Sequence, residues 1–222
     1  MAEWTLNGLA VLDGALTLPS VGCWTARLRV DSGEDLAGDV VLASGALEWR
    51  GAIVRGRVVQ GIGDWLLVGG TGGLRTPLDA KPYRSATLDD VLADVLAEVG
   101  ERLSPESSAL FGFTFPFWLR VPGPAHHAVA EVARAAGLAW RVRADGAVWL
   151  GADSFETMET PADFDVLGEV SAHDRLLVAG DVLGIVPGVY LVLPDGDGLR
   201  VDVVEHRIEP VGSSSMIWRA RQ

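Results

Sequence analysis

Of 222 residues only one is cysteine and only one is lysine, and no apolar run approaches the ~20 residues that cross a bilayer. A lone Cys23 can close no internal disulfide and anchors no thiolate metal cluster. Without a long apolar run, no transmembrane helix is expected. The start, Met1-Ala2-Glu3-Trp4, lacks the basic opening and apolar core of a secretory signal, so none is expected there either. Basic charge is scarce: 18 Lys and Arg face 30 Asp and Glu, for a net charge of −12. Phosphate neutralisation dominates nucleic-acid affinity, so a chain this acidic is a poor candidate for binding DNA or RNA, or an anionic membrane. What is present is a globular composition, 49% hydrophobic with 27 Gly and 11 Pro, and ample length for a real core. A soluble protein made inside the cell is the expectation.

Three textures follow one another along the chain. Residues 1–76 read as β structure. Trp24, Ala26, Leu28 and Val30 alternate with Thr25, Arg27, Arg29 and Asp31, the period of a half-buried strand. Leu47 and Trp49 alternate with Glu48 and Arg50 in the same way. Short apolar runs set off by Asp-Gly, Ser-Gly and Gly-x-Gly punctuation predict a small barrel or sandwich. Residues 77–152 read as a compact α/β unit. Thr87 can cap a helix over about 87–102, with Asp89 and Asp90 in its first turn. Leu88, Val91, Leu92, Val95, Leu96 and Val99 give that helix one apolar face. Pro124 opens a second helix over 124–136, which Gly137 ends. A hairpin over 138–150 turns at Asp145-Gly146. From residue 153 to 222 the β texture returns, and both flanks could close into small barrels.

Motifs for chemistry are missing. His126 and His127 are adjacent at a helix start and point apart; His173 and His206 have no ligand spacing around them. Structural roles are expected for all four. Asp195-Gly196-Asp197-Gly198 lacks the further oxygen ligands and terminal Glu of a calcium loop, so it reads as an acidic turn. Gly69-Gly70-Thr71-Gly72-Gly73 is followed by no Lys-Ser/Thr and by no immediate helix, so a flexible connector is expected rather than a phosphate loop. No Gly-x-Ser-x-Gly elbow occurs, and Cys23 lies in a β-patterned stretch. The expectation is a protein that is not an enzyme, with no metal and no cofactor.

One apolar feature stands out. Phe111, Phe113, Phe115 and Phe117 occupy alternate positions and Trp118 follows. An extended chain would set the four rings on one face. That face either packs against the two helices of its own subunit or forms an aromatic surface completed by a neighbouring subunit.

The stretch Lys81-Pro82-Tyr83-Arg84-Ser85-Ala86-Thr87-Leu88-Asp89-Asp90-Val91-Leu92 resembles the helix-opening segment of baseplate hub proteins in contractile-tailed phages and related contractile injection particles. The similarity continues through the second helix into Ala136-Gly137-Leu138-Ala139-Trp140-Arg141-Val142 and Asp145-Gly146-Ala147-Val148-Trp149. The resemblance implies an α+β, β-dominated fold, in which two small tail-tube-like β-barrels bracket a mixed segment with two helices. It implies a homotrimer that joins the tail tube to the central spike, with tube, tape-measure and other baseplate proteins as further partners. It places the chain in the virion tail baseplate, assembled in the host bacterial cytoplasm. The family's bore lets cargo pass, a use for negative charge. No LysM or lysozyme-like extension is apparent. A tail-associated cell-wall hydrolase and a carbohydrate-binding β module remain as alternatives. The first needs convergent acids or a metal; the second needs exposed Trp, whereas Trp24, Trp49 and Trp140 sit at core-like strand positions.

Overall fold

A computed structural model describes residues 3–107, 113–170, 175–180, 182–209 and 213–220. The first part folds as six strands: β1 (Trp4–Leu6), β2 (Leu9–Pro19), β3 (Thr25–Asp31), β4 (Asp39–Ser44), β5 (Leu47–Val59) and β6 (Ile62–Gly69). They pair in the order β1-β4-β5-β6-β3-β2, and β2 returns to β1, which closes a six-stranded barrel. The alternation of β3 delivers Ala26, Leu28 and Val30 inward, and with Leu6, Leu16, Trp24, Leu42 and Leu67 they fill the core. Trp4 stacks on Trp49 across the barrel end, ring centroids 5.4 Å apart.

The central segment contains β7 (Pro77–Leu78), β8 (Lys81–Thr87), α1 (Leu88–Glu98), β9 (Thr114–Arg120), β10 (Gly123–Pro124), α2 (Ala125–Ala135), β11 (Ala139–Val142) and β12 (Val148–Gly151). Thr87 and Asp90 form a capping box: Asp90 N donates to Thr87 Oγ1 at 3.1 Å, and Thr87 N donates to Asp90 Oδ2 at 2.9 Å. Helix α1 stops at Glu98, before the expected residue 102, and Gly100 follows in the left-handed region. It buries Leu88, Val91, Leu92, Val95 and Leu96. Helix α2 packs against it with Val129, Val132 and Ala133. The β11–β12 hairpin docks on the barrel wall, where Gly22 N donates to Trp140 O and Arg50 N donates to Ala144 O.

The last six strands are β13 (Thr157–Glu159), β14 (Asp165–Val170), β15 (Arg175–Ala179), β16 (Tyr190–Val192), β17 (Gly198–Ile208) and β18 (Ser213–Arg219). Here the structure departs from expectation: among the described residues one barrel closes, not two. Strands β17, β18, β15 and β14 form a sheet that continues outward from β2, with β16 and the parallel β13 beside the start of β17. These strands run β13-β16-β17-β18-β15-β14, and a second ring would close only if the two end strands, β13 and β14, paired; among the described residues they do not, while β17 gives residues 203–208 to β2 instead.

Along β2 the same edge passes from β1, at Leu9 and Ala10, to β17, from Gly14 onward, and this changeover falls where β2 has no side chain. Gly14 pairs with Ile208 on one side and Leu28 on the other. A Cβ there would lie 2.3 Å from the carbonyl oxygen of Arg27. Replacing Gly14 with Ala is expected to cost about 1–3 kcal/mol through overpacking. Urea denaturation measures it, and an unchanged midpoint would refute the tight approach.

His206 of β17 lies wholly buried between Leu16 of β2 and Ser215 of β18, its Nδ1 2.8 Å from Ser215 Oγ and its Nε2 unpartnered. Burial pushes its pKa down to about 4. Between that value and the ordinary 6.5, the unfolded chain holds a proton that the folded chain refuses. Stability therefore declines as pH falls through this window, by about 3 kcal/mol in full. His206→Gln should remove that component from the pH dependence of the urea midpoint; an identical slope in the variant would show that His206 is not its source.

Candidate functional site

Strands β7 and β8 pair with β10 and β9 as a two-stranded ribbon that carries the aromatic stretch. Its ladder is irregular at one point. Arg84 opposes Phe117 and Ala86 opposes Phe115, but the intervening Ser85 and Pro116 do not pair. Pro116 has no N–H to donate, and Ser85 adopts φ 49°. The strand's two-residue alternation changes sides there. Phe115 is 7% exposed, whereas Phe117 is 56% exposed.

The expected row of four rings is accordingly divided. Phe115 meets Phe113 at 4.9 Å and Trp118 at 6.0 Å, and Trp118 meets Tyr83 at 5.4 Å. These rings form one cluster. Phe117 instead faces outward beneath the Arg84 guanidinium, 5.9 Å away, with Leu119 and Val121 also exposed. Phe111 lies outside the described residues, as does His173. The signal for the split was present in the sequence as Pro116.

Behind the ribbon is a charged cluster that sequence inspection missed, because its members are far apart in the chain. Arg120, 2% exposed, donates to both carboxylate oxygens of Glu98 at 2.8 and 3.3 Å and to Asp79 O at 2.9 Å. Asp94 accepts from Lys81 Nζ at 2.7 Å and from Tyr83 Oη at 2.5 Å. Burial raises the Tyr83 pKa, and the Asp94 carboxylate adds to the rise. Partial burial acts against the Asp94 carboxylate, but the Lys81 and Tyr83 hydrogen bonds outweigh it and hold its pKa below the usual range. Every charge here is matched, so the cluster locks ribbon to helix. Arg120→Leu would leave Glu98 and the Asp79 carbonyl without their donor, at an expected cost of roughly 1–3 kcal/mol. Loss of ribbon amide protection in hydrogen exchange checks it; protection at the native level would contradict a locking role.

The glycine-rich stretch 69–73 is occupied from within. Glu101 is buried, and its carboxylate accepts from Thr71 N at 3.1 Å and Leu74 N at 3.4 Å. The turn does gather N–H groups around an anion, but the anion is the chain's own. Cys23 is half-buried nearby, and burial first, then Glu101, push its thiol pKa up to about 12, which disfavours the nucleophilic thiolate. His126 Nδ1 lies 3.0 Å from Leu74 O, and its ring meets that of His127 edge-on. Asp195 accepts from Asp197 N within a turn. Among the described residues no three His, Cys, Asp or Glu side chains converge as metal ligands.

No protein-family model matches the sequence, and no curated protein does. Solved structures do. The 43 kDa tail protein of prophage MuSo2 from Shewanella oneidensis has TM-score 0.68 and 9% identity, with 97% of this chain and 96% of that one covered. The tail protein of Neisseria meningitidis MC58 has TM-score 0.68 and 12% identity, with coverage of 97% and 95%. The c3393 protein of E. coli, a type VI secretion component with structural similarity to the T4 bacteriophage tail proteins gp27 and gp5, has TM-score 0.64 and 10% identity, with coverage of 99% and 77%. At such identities the likeness is one of fold, and the chain is built on the fold of these phage tail and secretion-system proteins.

Proposed function

We propose that the chain is a structural component of a phage-type contractile tail baseplate, a trimeric hub that joins the tail tube to the central spike. The supporting observation is architectural: a closed barrel, a helix-bearing segment and a continuing sheet share their fold with tail proteins over 97% of the chain. The assembly context is a multi-protein tail, with spike, tube and tape-measure proteins as partners. The chain performs no hydrolysis of its own. In support, Cys23 has a raised pKa and the Arg120–Glu98 cluster is fully engaged in holding the ribbon. A carbohydrate-binding role finds little support in the Trp residues. Trp4, Trp24, Trp49, Trp65 and Trp140 are buried, while Trp149 and Trp218 lie beneath Arg141 and Arg175.

The outward ribbon face of Phe117, Leu119 and Val121 is the subunit contact in this reading. A closed ring sets it against a different patch on the next copy. Covering a side chain such as Phe contributes about 1.5–3 kcal/mol, enough for a few to anchor an interface. Because Phe117 and Leu119 are exposed, Phe117→Ser with Leu119→Ser should leave the fold intact. Light scattering, with the chain alone and with a cognate spike, is expected to give a trimer for the native chain and a smaller species for the double variant. A native chain that is monomeric in both settings would overturn the hub assignment. A folded double variant that assembles normally would overturn the ribbon interface.

A further inference from the structure

Strand β5 outruns one of its neighbours. Its pairing with β4 ends at Ala52, whereas β6 follows it to Val59. Ile53 N donates to Gly38 O at 3.0 Å, and beyond it no strand lies on the β4 side of β5 among the described residues. Residues 54–59 are thus an open sheet edge on a barrel that is otherwise closed. Gln60 and Gly61, with φ of 53° and 80°, form the two-residue turn to β6, so Val59 and Ile62 are its hydrogen-bonded pair. Antiparallel alternation then points the backbone groups of Arg55 and Arg57 toward β6. Those of Gly56 and Val58 point toward the open edge.

Next to this edge runs an open groove of about 410 Å³, whose far wall is the loop 35–38. Its floor is apolar, formed by the half-buried Ile53 and Val58, with the buried indole of Trp65 packed beneath against Gly56. Arg55 and Arg57 stand on the outer face, both exposed and neither in an ion pair among the described residues. The bulge between Ile53 and Arg55 separates the β4-paired half of the strand from this open half.

We propose that this edge accepts one extended strand from a partner protein, apolar on one face and bearing carboxylates at alternate positions on the other. The added strand would complete the ladder through the outward N–H and C=O groups of Gly56 and Val58. Its inward side chains would rest on Val58. Its outward side chains would come within about 5 Å of Arg55 and Arg57, where opposite charge is favoured. An added strand would lie about 4.8 Å from β5, on the side where the loop 35–38 forms the other wall. A nucleic-acid duplex has no strand edge to offer, and a net charge of −12 opposes it.

The test uses the full chain at low salt and a labelled seven-residue peptide that alternates glutamate with valine. Binding is expected, with amide resonance shifts confined to residues 35–38 and 54–59. A peptide with lysine in place of glutamate should bind about tenfold more weakly or worse. Methylating the peptide's amide nitrogens along one edge should abolish binding, and along the other edge should leave it. Arg55→Glu with Arg57→Glu should weaken the glutamate peptide about tenfold without moving the unfolding midpoint. If that variant does not fold, the lysine and methylated peptides decide the matter on the native chain. No binding, equal affinity for both charges, indifference to methylation on either edge, or shifts elsewhere would each overturn the proposal. So would a short DNA duplex that displaces the peptide from the same arginines.

Discussion

Strand β2 has one edge given wholly to β3 and another divided between two partners. On the divided edge β1 pairs with Leu9 and Ala10, and β17 pairs with residues from Gly14 to Pro19. Buried backbone groups must find hydrogen-bond partners, so a strand of this length cannot leave either stretch bare in the interior. The barrel closes through the first stretch, and the C-terminal sheet hangs from the second. A side chain at Gly14 would collide at the changeover, and a charged imidazole at His206 would place an ion among Leu16 and Ser215. The architecture that matches tail proteins therefore depends on one strand being shared, and the two residues that most constrain the sharing are one with no side chain and one that must stay neutral.

Polar contacts fix how the remaining parts meet. Arg141, on β11, donates to Ser20 O at 3.0 Å and to Asp153 Oδ1 at 2.6 Å, and its guanidinium lies 4.3 Å from the centre of the Trp149 ring. One side chain thereby touches the end of β2, its own hairpin and the start of the C-terminal strands. Glu101 does the same between the β6 exit and the segment after α1. Half-buried ion pairs add little net stability, but they penalise misplaced neighbours, because a partner lost at such a seam leaves a charge poorly solvated. Apolar burial holds each part together; these few groups set the relative register.

Local order was readable from the sequence wherever one side chain reports its own environment. The alternation of β3, the apolar face of α1, the Thr87 cap with acids in the first turn and the Asp145-Gly146 turn are all local patterns with local causes. Sheet closure is not local. Nothing in the spacing of residues 198–208 announces pairing with β2, and nothing local says whether β13 and β14 will meet, so the second barrel was expected and is not found among the described residues. The Phe row failed for a smaller reason, since a strand's alternation survives only while its ladder is regular and Pro116 interrupts it. Glu101 was invisible because a carboxylate beside a glycine turn has no sequence signature until the fold brings residues thirty positions apart together.

Net charge proved a coarse guide because a barrel sorts charge by face. The outward row that crosses β17, β2, β3, β6 and β5 reads Arg207, Ala15, Arg27, Leu66, Arg55; the row beside it reads Asp13, Arg29, Asp64, Arg57. Arg27 pairs with Asp64 at 3.1 Å and Arg29 with Asp13 at 2.7 Å, so the acids are absorbed toward the middle of the wall. At the β5 end Arg55 lies opposite Leu66 and Arg57 opposite Asp64, whose pKa it helps lower; neither arginine is in an ion pair among the described residues, and Asp35 lines the same groove. An acidic protein thus carries a local basic margin, set by the register of four strand pairs rather than by composition. Exposed pairs of this kind contribute little to stability. Their larger effect is on encounter, since the long-range field of the molecule repels anions while the β5 margin attracts them at contact range, within the screening length of about 8–10 Å. Selection of an acidic strand over a generally anionic polymer follows from that difference in range: a short strand can reach the margin without exposing much charge to the rest of the surface, and a long polyanion cannot.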